Sequence, residues 1–519
     1  MMAMYWAFVI LTLAVVGHQS QADSKTPRKP RQTESDRPNI IMILADDMGY
    51  GDIASYGHPT QEYGPVDVMA ENGLRFTQAY SSDSVCSPSR AALLTGRLPV
   101  RLGVWGETHR VFLPWLTTGL PRSETTIAEA LKIQNYTTGM VGKWHLGINQ
   151  NTKTDGFHLP TNHGFDFVGH IIPFGGSYSC DNTGRYDNTP DPTKCFLYYR
   201  DEIVQQPYYQ ENLTTLFVND TVDFIRRNKD GPFFYYFAMM HPHAPLFSSA
   251  QFKGSSARGA YGDNINELSW AVGTIIKELE ELEIAKETLV VFMSDHGPHL
   301  EYCLDAGDPG IFRGFKSNSF EGGYRVPLIS YWPGVITPGV SNEIFSALDL
   351  FSIFVDLADG EMPTDVEHDG VNDVSVLLGK EPSTRDFIFF YNRDILFAVR
   401  SGKYKLHFFT QADKTPEEFA DVCLPAGYPS GHYFDCNKKS VSEECVTEHD
   451  PPLIFDLDAD PTESWPLDPS KFDALIESVQ NLISDHEAGL IRAPPLMDTE
   501  NRDMIPCCNE TTNCYCNYP

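Results

Sequence analysis

The chain has 519 residues, a formal net charge of -31, 41% hydrophobic residues and 12% aromatic residues. That length suits two domains with substantial cores, and the acidity excludes nucleic acid as a partner, because a phosphate backbone is held by clustered Lys and Arg. Screening beyond ~8 Å at physiological salt leaves room for a small anionic substrate met by local basic residues, while long polyanions are disfavoured.

Residues 1–22 read as a secretory signal, since the apolar run from Trp6 to Val16 is short for a membrane span and small residues follow it. No later apolar run approaches the ~20 residues that a spanning helix needs. Residues 23–37 are polar and basic without periodicity, a disordered lead. Export follows, to the extracellular space or alternatively the lysosome. The sequons at Asn135, Asn212, Asn219 and Asn509 fit that route. Eleven cysteines are an odd number, which in a secreted chain points to one special cysteine. The others could pair in an oxidising compartment, with a connectivity the sequence leaves open.

Ile40 to Ala45 is a continuous apolar run, the mark of a strand buried on both faces of a parallel sheet. It ends in Asp46-Asp47-Met48-Gly49, and two carboxylates delivered by a buried strand are costly unless a cation meets them. Val66 to Asn72 reads as a short helix stopped by Gly73, and Leu74 to Tyr80 as a strand. Cys86 to Arg97 follows, with Ser87 expected as N-cap, Pro88 in the first turn and Gly96 as terminator. Cys86 then sits at the positive end of a helix dipole, with Arg90 one turn further in. From the residues alone it is either half of a disulfide or a site cysteine.

Ser123 is the expected cap of a helix through Leu131. Thr138 to Gly142 forms a second buried strand, ending in Lys143-Trp144-His145. Phe233 to Met240 forms a third, ending in His241-Pro242-His243. An amphipathic helix over about Asn264 to Leu282 precedes a fourth strand, Leu289 to Ser294, which ends in Asp295-His296-Gly297. Ligands bind beyond the carboxyl ends of strands in open α/β sheets, so polar residues at four such ends mark a site. The fold expected is α/β, a large mostly parallel sheet sandwiched by helices, over residues 38–379. Beyond Gly379, short alternating strands near 387–391, 396–400, 404–409 and 454–457 and a helix near 471–483 indicate an α+β domain. That domain, 380–519, has an antiparallel sheet and ends in a cysteine-rich tail.

The stretch CSPSRAALLTGR, Cys86 to Arg97, matches the signature of the sulfatase family, C-x-P-S-R-x-x-L-L-T-G-R. Gly314 to Pro327 resembles that family's second signature, G-x-K-x-x-x-x-E-G-G-x-R-V-P, with Lys316 at the functional lysine. The chain is similar to soluble animal arylsulfatases from Pro38 to the last cysteines. It is also similar to the steroid sulfatase branch over Asp295 to Pro327, without the hydrophobic hairpin of that branch's membrane-bound member.

The resemblance implies an alkaline-phosphatase-like fold and oxidation of Cys86 to formylglycine (3-oxoalanine) by a formylglycine-generating enzyme. It implies calcium held by Asp46, Asp47, Asp295, the modified Cys86 and His296, where many members place Asn or Gln. It implies hydrolysis of a small aryl sulfate to phenol and sulfate, through a gem-diol nucleophile and a covalent sulfated intermediate. His243 or Lys316 would protonate the leaving group, and His145 would take the second hydroxyl's proton. Lys143, Lys316, Arg90 and calcium would neutralise the sulfate. His243 rather than His241 matches the family's second histidine, and Ser177 aligns imperfectly with its sulfate-contacting serine. Two other readings are a phosphohydrolase of the same fold, needing a Ser or Thr nucleophile, and a non-enzymatic extracellular protein on an unmodified scaffold.

Overall fold

The computed structural model of the chain describes residues 37–176, 180–183, 191–411, 423 and 446–517. The expected signal, almost all of the polar lead, Ser177, and cysteines 436 and 445 lie outside the described residues.

The first apolar run is strand β1 (Asn39–Ala45), in which Ile40 to Ala45 are wholly excluded from solvent. Nine more strands join it: β2 (Leu74–Tyr80), β3 (Thr137–Lys143), β4 (Phe167–Ile172), β5 (Leu197–Tyr199), β6 (Glu202–Gln205), β7 (Phe233–Ala238), β8 (Thr288–Ser294), β9 (Arg325–Tyr331) and β10 (Gly339–Ser346). Their order is β10-β2-β9-β8-β1-β7-β3-β4-β5-β6. The middle of the sheet, β8-β1-β7-β3, is parallel throughout. Antiparallel pairs enter only through β9, β5 and the strands beside them. The four strands with polar ends are therefore neighbours pointing the same way, and their carboxyl ends meet at one edge.

Helices cover the sheet. Helix Ala260–Glu281 buries Ile265, Leu268, Ala271, Val272, Ile275 and Leu279, spaced for one helical face. It begins four residues before Asn264, the residue at which the stripe suggested a start.

Two caps differ from expectation. The signature helix spans Cys86–Thr95 with Val85 in the capping position, so Ser87 lies inside its first turn. The buried Ser87 hydroxyl instead donates to the His145 carbonyl at 2.8 Å and accepts from the Phe112 N–H at 3.1 Å. Gly96 ends the helix in the left-handed region, φ 67. Helix Ile127–Ile133 is capped by Thr126 rather than Ser123: Thr126 Oγ1 accepts from the Glu129 N–H and the Glu129 carboxylate accepts from the Thr126 N–H, a capping box.

A separate antiparallel sheet has the order β11 (Phe387–Asn392), β12 (Ile395–Ser401), β13 (Tyr404–Gln411) and β14 (Val446–Asp456). Strand β14 starts eight residues before Ile454, because Pro451 and Pro452 break the sequence pattern but sit on an edge strand, where proline is tolerated. Helix Asp473–Gly489 lays Val479, Leu475, Ile476 and Leu482 against Val399, Leu406 and Ile454.

The two sheets meet at a buried charge network. Glu321 accepts from Lys405 Nζ at 3.0 Å, Arg325 Nη1 at 3.2 Å and the Tyr80 hydroxyl at 2.6 Å. Glu463 lies 3.3 Å from Lys405 and 2.7 Å from His407. Disulfides join Cys180–Cys195, Cys303–Cys423, Cys507–Cys514 and Cys508–Cys516. Among the described cysteines, Cys86 is the one without a bridge. No helix among the described residues is long and apolar enough to cross a membrane.

Candidate active site

Strand β1 delivers Asp46 and Asp47, β8 delivers Asp295 and His296, β3 ends on Lys143 with His145 just beyond, and β7 leads into His243. Backbone contacts lock these ends together. The Asp46 N–H donates to the His241 carbonyl at 3.0 Å, and the Asp295 N–H to the Ala45 carbonyl at 3.0 Å. Asp47 adopts φ 62 and donates its N–H to Asp295 Oδ1 at 3.1 Å. The tip of helix Cys86–Thr95 points into this junction, with Cys86 only 1% exposed.

Six charges, three of each sign, pair within this buried junction. Lys143 Nζ lies 2.5 Å from Asp46 Oδ2. Arg90 places Nη2 and Nε at 2.8 and 3.0 Å from Asp295 Oδ2, Nη2 at 3.4 Å from Asp46, and Nη1 on the Lys143 carbonyl. Lys316 Nζ donates to Asp47 Oδ1 at 2.6 Å and approaches Cys86 Sγ at 3.4 Å.

Burial raises the Asp46 carboxyl well above its ordinary range, with Lys143 opposing. At Asp47 burial is outweighed chiefly by the Lys316 ammonium, and its carboxyl lies well below that range. Asp295 also lies low, because His296, Arg90 and Lys143 outweigh its desolvation. Burial and the Lys143 charge push both His145 and His243 well down, so both imidazoles are neutral near neutral pH. Lys316 is held charged by Asp47 and Cys86 against the pull of burial.

The residues fit a metal ion. Asp46 Oδ1 and Asp47 Oδ2 are buried and make no hydrogen bond. Ligand atoms of Asp46, Cys86, Asp295 and His296 lie within 4.8 Å of one another, as do those of Asp46, Asp47, Cys86 and His243. His296 Nδ1 sits 2.9 Å from the Gly297 carbonyl, so that nitrogen carries the proton. Its Nε2 lies 3.2 Å from Cys86 Sγ, 3.3 Å from Asp47 Oδ1 and 3.5 Å from Asp295 Oδ1, facing the same space as the carboxylates.

Above the junction opens a cavity of about 650 Å3, with Cys86, His145, His243 and Lys316 on its wall. Lys143 and Arg90 are off that wall, absorbed in their ion pairs. Both ring nitrogens of His145 lack a hydrogen-bond partner. A side chain at Gly175 would stand 2.6 Å from that ring, so only glycine admits it. His241 faces away, its Nε2 2.8 Å from Thr214 Oγ1 and 3.6 Å from Glu267. Ser177 lies outside the described residues.

Sequence reasoning missed His299, which lines the cavity, pairs with Glu301 at 2.6 Å and lies 3.9 Å from Asp47. Its place three residues past His296 in a strand-end loop was an available signal. It also missed the wall segment around Trp115, which has no periodicity to read.

A family model described as Sulfatase matches residues 38–360, and one described as the C-terminal region of aryl-sulfatase matches 383–516. The chain is 52% identical over 482 residues to an arylsulfatase of Hemicentrotus pulcherrimus, covering 93% of this chain and 87% of that one. It is 38% identical to human arylsulfatase A, covering 83% of each chain. It is 33% identical to human steryl-sulfatase, covering 92% of this chain and 94% of that one. Among solved structures it is similar to the PsFucS1 sulfatase of Pseudoalteromonas sp., with TM-score 0.73, 23% identity and coverage of 90% and 92%. It is also similar to the phosphonate monoester hydrolase of Agrobacterium radiobacter, with TM-score 0.57, 19% identity and coverage of 88% and 96%. These two likenesses carry the fold alone, and the second shows that the fold serves more than one ester chemistry.

Proposed function

The chain belongs to the sulfatase family and is a sulfuric ester hydrolase, and on that premise we propose that it cleaves aryl sulfates with an oxidised Cys86 and calcium. The observation that carries this reading is the unbridged Cys86, set at a helix tip against Lys316, His296 and Asp47.

Oxidised to formylglycine, residue 86 would supply in water a geminal diol, one hydroxyl to attack sulfur and a second whose proton loss expels sulfate. Calcium held by Asp46, Asp47, Asp295 and His296 would supply positive charge to the sulfate oxygens and lower the proton affinity of the attacking hydroxyl. The carboxylate-rich donor set suits a hard cation.

Lys316 is the cavity-wall cation that reaches Cys86, its Nζ 3.4 Å from Sγ, and it binds a sulfate oxygen there. Lys143 and Arg90 hold the carboxylates of Asp46 and Asp295 in place, acting on the ester through them. His243 or Lys316 gives the leaving oxygen its proton. His145 starts neutral with both nitrogens unbonded, so it can accept the proton of the second hydroxyl. Ser177 is retained as a proposed contact to the sulfate.

Every residue of helix Cys86–Thr95 is buried, so the modifying enzyme acts on the chain before it folds. The protein is exported, to the extracellular space or alternatively the lysosome.

Mass spectrometry of the peptide containing residue 86 tests the reading. Aldehyde is expected as the main species, together with turnover of a chromogenic aryl sulfate. Unmodified thiol in a protein with full turnover would overturn it. Chelation tests the metal: turnover should fall about tenfold or more and the thermal midpoint should drop. Added calcium should restore both better than magnesium, which demands a tighter octahedral shell.

A further inference from the structure

One stretch of the cavity wall, residues 108–115, has no regular structure of its own, yet contributes Val111, Leu113, Pro114 and Trp115. It is held from outside by a segment almost 400 residues later in the chain. The N–H groups of Glu107 and Thr108 donate to the Asp498 carboxylate at 2.9 and 2.8 Å. His109 is fixed between the Met497 carbonyl at 3.1 Å and Glu500 at 2.9 Å. The Asn501 N–H donates to the Trp115 carbonyl at 2.9 Å, and Leu116 pairs with Glu500 in an antiparallel bridge. The Arg502 guanidinium lies over the Trp115 ring, 4.7 Å from its centre. The same tail then enters the disulfides Cys507–Cys514 and Cys508–Cys516, and Cys516 exchanges backbone hydrogen bonds with Gln206 at 2.8 and 2.9 Å.

We propose that Trp115 is a specificity-determining residue that receives the aromatic part of the substrate, and that Asp498 and Arg502 are positioning residues acting through it. The inference rests on the sulfatase reading above and deepens it to a substrate class, sulfate esters of fused-ring aryl alcohols. Trp115 stands on the cavity wall beside Val111, Leu113 and Pro114, so this stretch presents an apolar surface. A cation on an aromatic face fixes the ring's orientation, and aryl rings pack favourably against such a platform. A cavity of about 650 Å3 is ample for a fused-ring ester and leaves a single phenyl ring loosely held.

The test compares kcat/KM for methylumbelliferyl sulfate, a fused-ring ester, with that for nitrophenyl sulfate in the full-length secreted enzyme. Trp115→Ala should lower the ratio of the two about tenfold, mainly through KM for the larger ester. Arg502→Ala should lower it less, and Arg502→Lys, which keeps a cation over the ring, should regain it. The Arg502 pair decides the matter if Trp115→Ala does not fold. An unchanged ratio, or equal loss of kcat on both esters, would overturn the inference alone. A wild-type protein inert toward both esters, although carrying the aldehyde, would overturn the sulfatase reading and the inference with it.

Discussion

Cys86→Ser should abolish multiple turnover of an aryl sulfate, by about 10^4-fold or more, while leaving the protein folded. Serine is close in shape to cysteine, and residue 86 is a buried helix-tip position with hydrogen-bonding neighbours in Lys316 and His296. The hydroxyl beside Lys316 and the carboxylates can still attack sulfur. It has no second hydroxyl on the same carbon, so His145 has no proton to remove and the new ester persists. The measurement is a chromogenic assay with intact-mass analysis of the incubated variant, which should show one sulfate retained per chain. Sustained turnover by the serine variant would defeat the elimination step.

The second large effect lies away from the site. Lys405→Met should destabilise the fold by about 3–5 kcal/mol, the usual cost of leaving buried charge without its partner. Lys405 is wholly buried between Glu321 and Glu463, and its removal leaves two carboxylates facing one another with a loss of countercharge. Burial pushes the Glu321 carboxyl up, but Lys405, Arg325 and Arg400 outweigh it and hold the pKa at about 2, against an ordinary 4.5. A depressed folded-state value contributes stability above the ordinary pKa, and that contribution is lost as pH falls through the folded value. The wild type therefore keeps this contribution in full above about pH 4.5 and loses it only between there and about pH 2. In the variant Glu321 is depressed less, so less stability is lost in this window and the gap between wild type and variant narrows as pH falls below about 4.5. Thermal midpoints at about pH 7 and about pH 4 test both statements. An unchanged midpoint at neutral pH would show that the network does not stabilise the seam.

The readable part of the site has a common cause. A strand buried on both faces must be apolar along its length, so Asp46, Asp47, Lys143, Asp295 and His296 stand out where the runs stop. Lys316 lies in a glycine-rich loop and was legible only through its motif. Ser87 was misread as a cap because a serine before a proline looks the same one residue earlier or later, and only the contacts to His145 and Phe112 place it inside the turn. Thr126 displaced Ser123 for a similar reason, since the capping box needs a Glu three residues on, and Glu129 supplies it. His299 and Trp115 carried no periodic signal.

By itself the sequence determined which residues can do chemistry and which segments are strands or helices, because side-chain period, capping and motif spacing are properties of neighbours along the chain. The tertiary structure alone decided which of those residues share a cavity. It turned His243 toward Asp47 and His241 toward Thr214, absorbed Lys143 and Arg90 into ion pairs, and built the wall at Trp115 from the tail at Asp498 to Arg502. Those outcomes depend on strand order and on contacts between residues hundreds of positions apart, and no local pattern encodes such distances.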